Sequence, residues 1–210
     1  MASSSKENIL KKIRQALSTP TPLPFPESEG NDNLYQPQLM EPELEFAENF
    51  TKLLGQFSYC ENEKDLVAQL KALVETKQLH KIYCRDDRML DMLTDNGFYP
   101  AWHEYLDTCQ ASITDCELLI ARTGSILMSS AQQSGRTTSV YAPIHICIAY
   151  TNQLVYDIKD GLQRMKEKYA NKLPSLITFA TGPSRTADIE KTLVVGIHGP
   201  KEVFVFLVEK

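Results

Sequence analysis

An α/β fold built on a mostly parallel sheet is what this sequence predicts. Three observations carry that expectation. Apolar runs such as Ile144 to Tyr150 and Val203 to Val208 are continuous rather than alternating, as in strands buried on both faces. Between such runs lie segments whose apolar residues recur at helical spacing, for example Leu66, Leu70, Leu73 and Val74. The two kinds of segment alternate along the chain, the order expected of a sheet covered on both faces by helices.

The chain begins with a segment of its own. Ser4 and Glu7 form a capping-box pattern, and Ile9, Leu10, Ile13 and Leu17 line one face of a helix over residues 4–17. Pro20, Pro22, Pro24 and Pro26 then read as a linker, followed by a polar, acidic stretch to about Met40. Residues 1–40 are therefore expected to be a helix and Pro-rich tether, and residues 41–210 the compact domain. An exposed apolar stripe on a tethered helix is a candidate docking element.

Pro42 suits the first turn of the next helix, with Phe46, Phe50, Leu53, Leu54 and Phe57 as its buried stripe. Another helix runs from about Asn62. Lys81 to Cys84 is a short strand, and Asp86 can cap a helix that Gly97 closes. From Ile113 the pattern becomes strand-rich: Leu118 to Ala121 and Ser125 to Met128 flank Arg122-Thr123-Gly124. Leu154, Ile158, Leu162, Met165 and Tyr169 mark a helix, Leu176 to Ala180 a strand, Gly182 to Val195 a turn and short helix, and Glu202 to Glu209 a closing strand.

Composition excludes several function classes. With 210 residues, a net charge of −5 and ordinary apolar content, the chain has no basic footprint for nucleic acid. No apolar run approaches the ~20 residues that span a membrane. Met1 to Arg14 lacks the apolar core of a signal peptide, so a cytoplasmic protein is expected. The cysteines, Cys60, Cys84, Cys109, Cys116 and Cys147, show no C-x-x-C spacing and no zinc or cluster ligand pattern, which reads as free thiols and no metal.

The strongest chemical signal is Thr181-Gly182-Pro183-Ser184-Arg185-Thr186-Ala187-Asp188-Ile189-Glu190. A glycine-proline corner between strand and helix would aim backbone N–H groups at an anion, and Arg185 would add a fork of donors. Thr123-Gly124-Ser125 and Ile197-His198-Gly199-Pro200 are further polar turns, expected at the carboxyl ends of the strands. Arg136, in the loop from Ser129 to Tyr141, could grip the same anion as Arg185. The expected ligand-binding residues are thus Thr123, Gly124, Arg136, Gly182, Ser184, Arg185, Thr186 and Gly199. Candidates for catalysis are His198, Asp188 and Glu104. Blander roles compete: Thr186 as an N-cap, Asp188 as dipole complement, Gly182 and Gly199 as turn formers, His198 as a structural histidine, Glu104 as a rim residue. There is no P-loop, no G-x-G-x-x-G and no convincing nucleophile.

These residues resemble a known family. Thr181 to Glu190, then Gly196-Ile197-His198-Gly199-Pro200 and an apolar closing strand, are similar to the lactate-utilization (LUD) domain. Ala121-Arg122-Thr123-Gly124-Ser125 resembles that family's upstream turn, which more often has an acidic residue at the position of Arg122. The Arg136 loop and Tyr141 to His145 fit its middle segment, and the resemblance covers about Glu41 to Glu209. It implies a Rossmann-like three-layer α/β sandwich, similar to ribose-5-phosphate isomerases and CoA-transferases. It also implies a part in oxidising L-lactate to pyruvate, beside partner subunits that hold the iron–sulfur clusters this chain lacks. The competing expectation is an autonomous enzyme acting on a phosphorylated sugar or an acyl-CoA.

Overall fold

The structure is a computed structural model that describes residues 5–18, 38, 40–170, 172–186 and 194–210. Ser4, the prolines at positions 20–26, and residues 187–193, among them Asp188, lie outside the described residues. The chain divides into two units, Met1–Pro37 and Gln38–Lys210. Within the first, helix α1 (Ser5–Leu17) carries Glu7 in its first turn and Arg14 in its last, the charge order that a helix dipole favours. Ile9, Leu10 and Ile13 share one face of it.

The second unit is organised by a five-stranded, wholly parallel sheet. Its strands are β1 (Gln56–Cys60), β2 (Ile82–Cys84), β3 (Ala111–Thr114), β6 (Ile144–Tyr150) and β11 (Glu202–Val208), in the order β1-β11-β6-β3-β2. A second sheet, in the order β7-β4-β5-β8, joins β4 (Leu118–Ile120), β5 (Ser125–Ser129), β7 (Leu154–Val155) and β8 (Ile177–Ala180). Here β4 and β8 both run antiparallel to β5.

Both faces of the parallel sheet are covered, as expected, but by different layers. One face packs on helices α3 (Glu63–Lys77) and α4 (Asp87–Asp95), where Leu66, Leu70, Met89 and Leu93 meet Ile82, Ile113, Ile146, Phe204 and Phe206. The other face packs on the inner side of the second sheet and on helix α2 (Pro42–Lys52), with Phe46, Phe50, Leu119 and Ile126 against Cys147, Val205 and Leu207. The outer side of the second sheet is covered in turn by helix α6 (Ile158–Tyr169), through Met165 against Leu118, Ile120 and Leu127.

The helices start where side chains satisfy their free N–H groups. Asn62 accepts from Lys64 and Asp65 at the start of α3, and Asp86 accepts from Arg88 and Met89 at the start of α4. Two boundaries depart from the sequence expectation. Helix α2 ends at Lys52, Leu54 takes φ +68°, and Phe57 belongs to β1 rather than to the helix stripe. Helix α6 begins at Ile158, because Asp157 and Asp160 form a reciprocal capping box there; Leu154 sits in β7 instead.

Buried polar groups in the sheets are paired. Glu117 accepts hydrogen bonds from Ser129 (2.6 Å), Lys168 (2.7 Å) and Tyr169 (2.7 Å), tying the second sheet to α6. Burial alone would raise its carboxyl, but these donors hold it below its usual value. All five cysteines are free thiols.

His145, on β6, is fully buried with Nε2 2.9 Å from Thr114 Oγ1, and burial pushes it down to about 4 from 6.5. The folded state therefore holds it neutral, while an unfolded chain would take up a proton below about 6.5. Its contribution is present above that pH and is lost as pH falls toward 4. Urea unfolding of the wild type should lose about 3 kcal/mol more between pH 7 and pH 4 than that of His145→Gln, at ~1.4 kcal/mol per pH unit of separation. Equal pH slopes for the two proteins would refute this.

Candidate functional site

The glycine turns singled out in the sequence meet at the C-terminal end of α2. Asn49 donates from Nδ2 to the carbonyls of Ala121 and Arg122, each at 3.1 Å. Gly124 takes φ +58°, and a Cβ there would lie 2.5 Å from the Phe50 nitrogen. Gly182 takes φ +81°, and a Cβ there would lie 2.5 Å from the Leu53 carbonyl oxygen. Arg185 donates to that same Leu53 carbonyl. A line of hydroxyls joins the two turns: Thr123 Oγ1 is 2.8 Å from Ser125 Oγ, which is 2.9 Å from Thr181 Oγ1.

After Gly182 the chain is extended at Arg185–Thr186, and the short helix expected next falls on residues 187–193, outside the described residues. Arg185–Thr186 forms β9 and pairs antiparallel with β10 (Val194–Val195). Ser184 is committed on both sides. Its N–H donates to Pro200 O and its carbonyl accepts from Gly196 N, both at 2.9 Å. A Cβ on Gly199 would come within 2.8 Å of Ser184 Cβ. The N–H of Ser184 is thus taken by protein rather than aimed at an anion.

The polar turns also lie at the other end of the sheet from the one expected. Leu53 to Gly55 precede β1, and Ile197 to Pro200 precede β11, so both approach the amino ends of the parallel strands. The reason is topological. Thr123 and Gly124 turn a β4–β5 hairpin, and Thr181 follows a strand of the second sheet, so neither is a strand-to-helix crossover of the parallel sheet.

Beside these turns is a cavity of about 420 Å³, lined by Val140, Tyr141, Pro143, the Gly196 to Gly199 turn and Lys201. Tyr141 closes the short helix α5 (Thr138–Tyr141), and the Lys201 N–H donates to Pro143 O at 2.8 Å. The Lys201 stem lies across Gly196, where an added Cβ would meet Lys201 Cγ at 2.2 Å. Lys201, His198 and the Tyr141 hydroxyl give the cavity an ammonium, an imidazole and a hydroxyl donor. That set suits a carboxylate or another small anion.

The remaining candidates fall elsewhere. Arg136 donates to Ser175 Oγ at 2.5 Å, beside the Ser129–Ile177 end of the β5–β8 ladder, whereas Arg185 follows its Ile126–Ala180 end. The ladder therefore separates the two guanidinium groups, which do not share one anion site. Glu104 is exposed in the loop before Tyr105. Arg122, the departure from the family pattern, donates to the Asp157 carboxylate at the head of α6. Lys201, Tyr141, Asn49 and Leu53 were missed by sequence reasoning. Lys201 follows His198-Gly199-Pro200 directly and was findable; Tyr141 reaches the cavity only because β6 pairs with β11.

Among the described residues, no group of three His, Cys, Asp or Glu is placed to hold a metal ion. No helix among them is long and apolar enough to cross a membrane. Residues 44–208 match the model of the LUD domain family. The chain is 32% identical over 120 residues to Lactate utilization protein C of Deinococcus radiodurans, covering 57% of this chain and 55% of that one. It is 33% identical over 104 residues to Lactate utilization protein C of Bacillus subtilis, covering 49% and 43%. The chain thus spans about half the length of the curated relatives it matches. In fold it is similar to a crystal structure of a DUF162 family protein from Deinococcus radiodurans, with a TM-score of 0.60 at 17% identity over 80% of this chain and 96% of that one.

Gly97 and Gly182 separate backbone strain from close approach. Both have positive φ, but a Cβ on Gly97 would meet nothing within 4 Å. Gly97→Ala should cost about 1–2 kcal/mol, the left-handed penalty alone. Gly182→Ala should cost clearly more, because the Leu53 carbonyl must also move. Equal costs in denaturant titrations would show that the approach to Leu53 is not tight.

Proposed function

This chain belongs to the LUD domain family, and we propose that it serves L-lactate utilization in the cytoplasm by binding a small carboxylate between Tyr141, His198 and Lys201. The coarser part of this reading is supported by relatives named for lactate utilization. The finer part is carried by one observation. The Gly196 to Lys201 turn of the family-like signature lines a cavity that holds a cation and two further polar side chains.

In this reading the ammonium of Lys201 meets the carboxylate, in bonds worth ~1.5–3 kcal/mol. His198 and Tyr141 contact the rest of a short acid. The signature residues Thr123, Gly124, Gly182, Ser184, Arg185 and Gly199 build the wall that holds the turn in place. Oxidation of lactate to pyruvate releases an electron pair. Partner subunits with iron–sulfur clusters would carry it, and this chain would act as the non-redox component of the assembly.

The test compares Lys201→Ala and His198→Ala with the wild type, in lactate binding and in restoring growth on lactate to a host lacking the gene. Lys201→Ala should bind lactate at least about tenfold more weakly and fail to restore growth, at an unchanged thermal midpoint. Full growth with Lys201→Ala, or growth lost only in proportion to protein level, would remove the cavity from the function. Turnover of a phosphorylated sugar or an acyl-CoA by the isolated chain would favour an autonomous enzyme instead.

A further inference from the structure

Helix α1, in the first unit of the chain, carries an apolar stripe that faces outward. Ile9, Leu10 and Ile13 lie on one face of it and are 56%, 39% and 48% exposed. An apolar stripe left open on a helix marks a surface that meets something else, a protein groove or a lipid surface.

Charge narrows the choice. Lys6, Lys11, Lys12 and Arg14 against Glu7 give α1 a charge of +3, so the rest of the chain, in a total of −5, carries −8. A basic amphipathic helix is drawn to an anionic surface, while the acidic remainder is repelled by it. Contact with such a surface is therefore confined to the helix.

The cations are also placed for a lipid surface. At about 100° per residue, Ile9 and Leu10 bound an arc of about 100° with Ile13 near its middle. Lys12 lies about 60° outside one edge of that arc and Arg14 about 40° outside the other. From both edges a long stem can follow the apolar boundary and lift its charge to a headgroup phosphate. Lys6 lies within the arc, one turn before Leu10. A protein groove that took up the stripe would have to bury and pair that ammonium against its desolvation cost. At a lipid surface the stem snorkels and the ammonium stays in water. Thirteen residues span about 20 Å, less than the ~30 Å hydrocarbon core, so the helix would lie along the surface rather than cross it.

We propose that α1 docks this protein on an anionic lipid surface, with Ile9, Leu10 and Ile13 at the acyl boundary and Lys6, Lys12 and Arg14 on headgroup phosphates. Three aliphatic side chains make a weak anchor, so attachment depends on charge and is released by salt. The docking is independent of the Lys201 cavity and of what that cavity binds.

Co-sedimentation of the full chain with vesicles tests the proposal. One set is phosphatidylcholine alone, and the other replaces one third of it with phosphatidylglycerol. The chain should bind the anionic vesicles at least about tenfold more tightly than the neutral ones, and about 0.5 M salt should remove most of that binding. Ile13→Glu, which sets a carboxylate on the stripe, should weaken binding about tenfold or more. Lys12→Gln combined with Arg14→Gln should weaken binding to the anionic vesicles and leave the neutral ones unaffected. Each variant should keep the wild-type thermal midpoint, because the replaced side chains are exposed. No binding to anionic vesicles, equal binding to both sets, indifference to salt, or full binding by Ile13→Glu would each overturn the proposal. So would capture of an acidic protein, or of a second copy, through α1 while vesicles are ignored, which would give the helix to a protein groove.

Discussion

The strand β11 is the constraint on which both cores depend. It lies between β1 and β6, pairs with each along its length, and has side chains buried on both faces. Phe204, Phe206 and Val208 point into the core beneath α3 and α4, while Val203, Val205 and Leu207 point into the core shared with α2 and the second sheet. A slip of one residue would exchange these sets. It would also move Lys201 away from Pro143, because Lys201 leads into that strand. One register therefore fixes the packing and the cavity together.

The amino-end region shows how close backbone approach substitutes for bulk. Helix α2 ends against two glycine turns, and the Leu53 carbonyl, left without a helical partner by the end of α2, is met by Arg185. That contact gives Arg185 a structural role within the signature. Lys201, by contrast, lays its stem across the bare backbone of Gly196.

What the sequence shows clearly is whatever is local. Asn62 and Asp86 sit where caps are needed, and Ile144 to Tyr150 is apolar apart from His145 because both of its faces are covered. The strand Gln56–Cys60 was hidden because it is short and lies at the sheet edge, with Gln56 and Tyr59 exposed, and because Phe57 fell in phase with the preceding helix. The second sheet was legible as strands but not as a separate layer, since pairing partners such as Ile126 and Ala180 are distant in the chain. The same limit hid the cavity. Tyr141 and Lys201 become neighbours only through β6 and β11.

At the rim of the sheet, the Gln56 amide reaches the Glu202 carboxylate at 3.0 Å across 146 residues of chain, and Lys77 reaches the same carboxylate at 2.6 Å. Contacts of such separation set the pace of folding. Helices α3 and α4 can form early from local sequence, but β1 has no hydrogen-bonded neighbour until β11 arrives, and the loop to be closed is most of the domain. A chain of this topology should fold on the slow side of the range for its size, with β1 exposed as an unpaired edge until the last strand is in place.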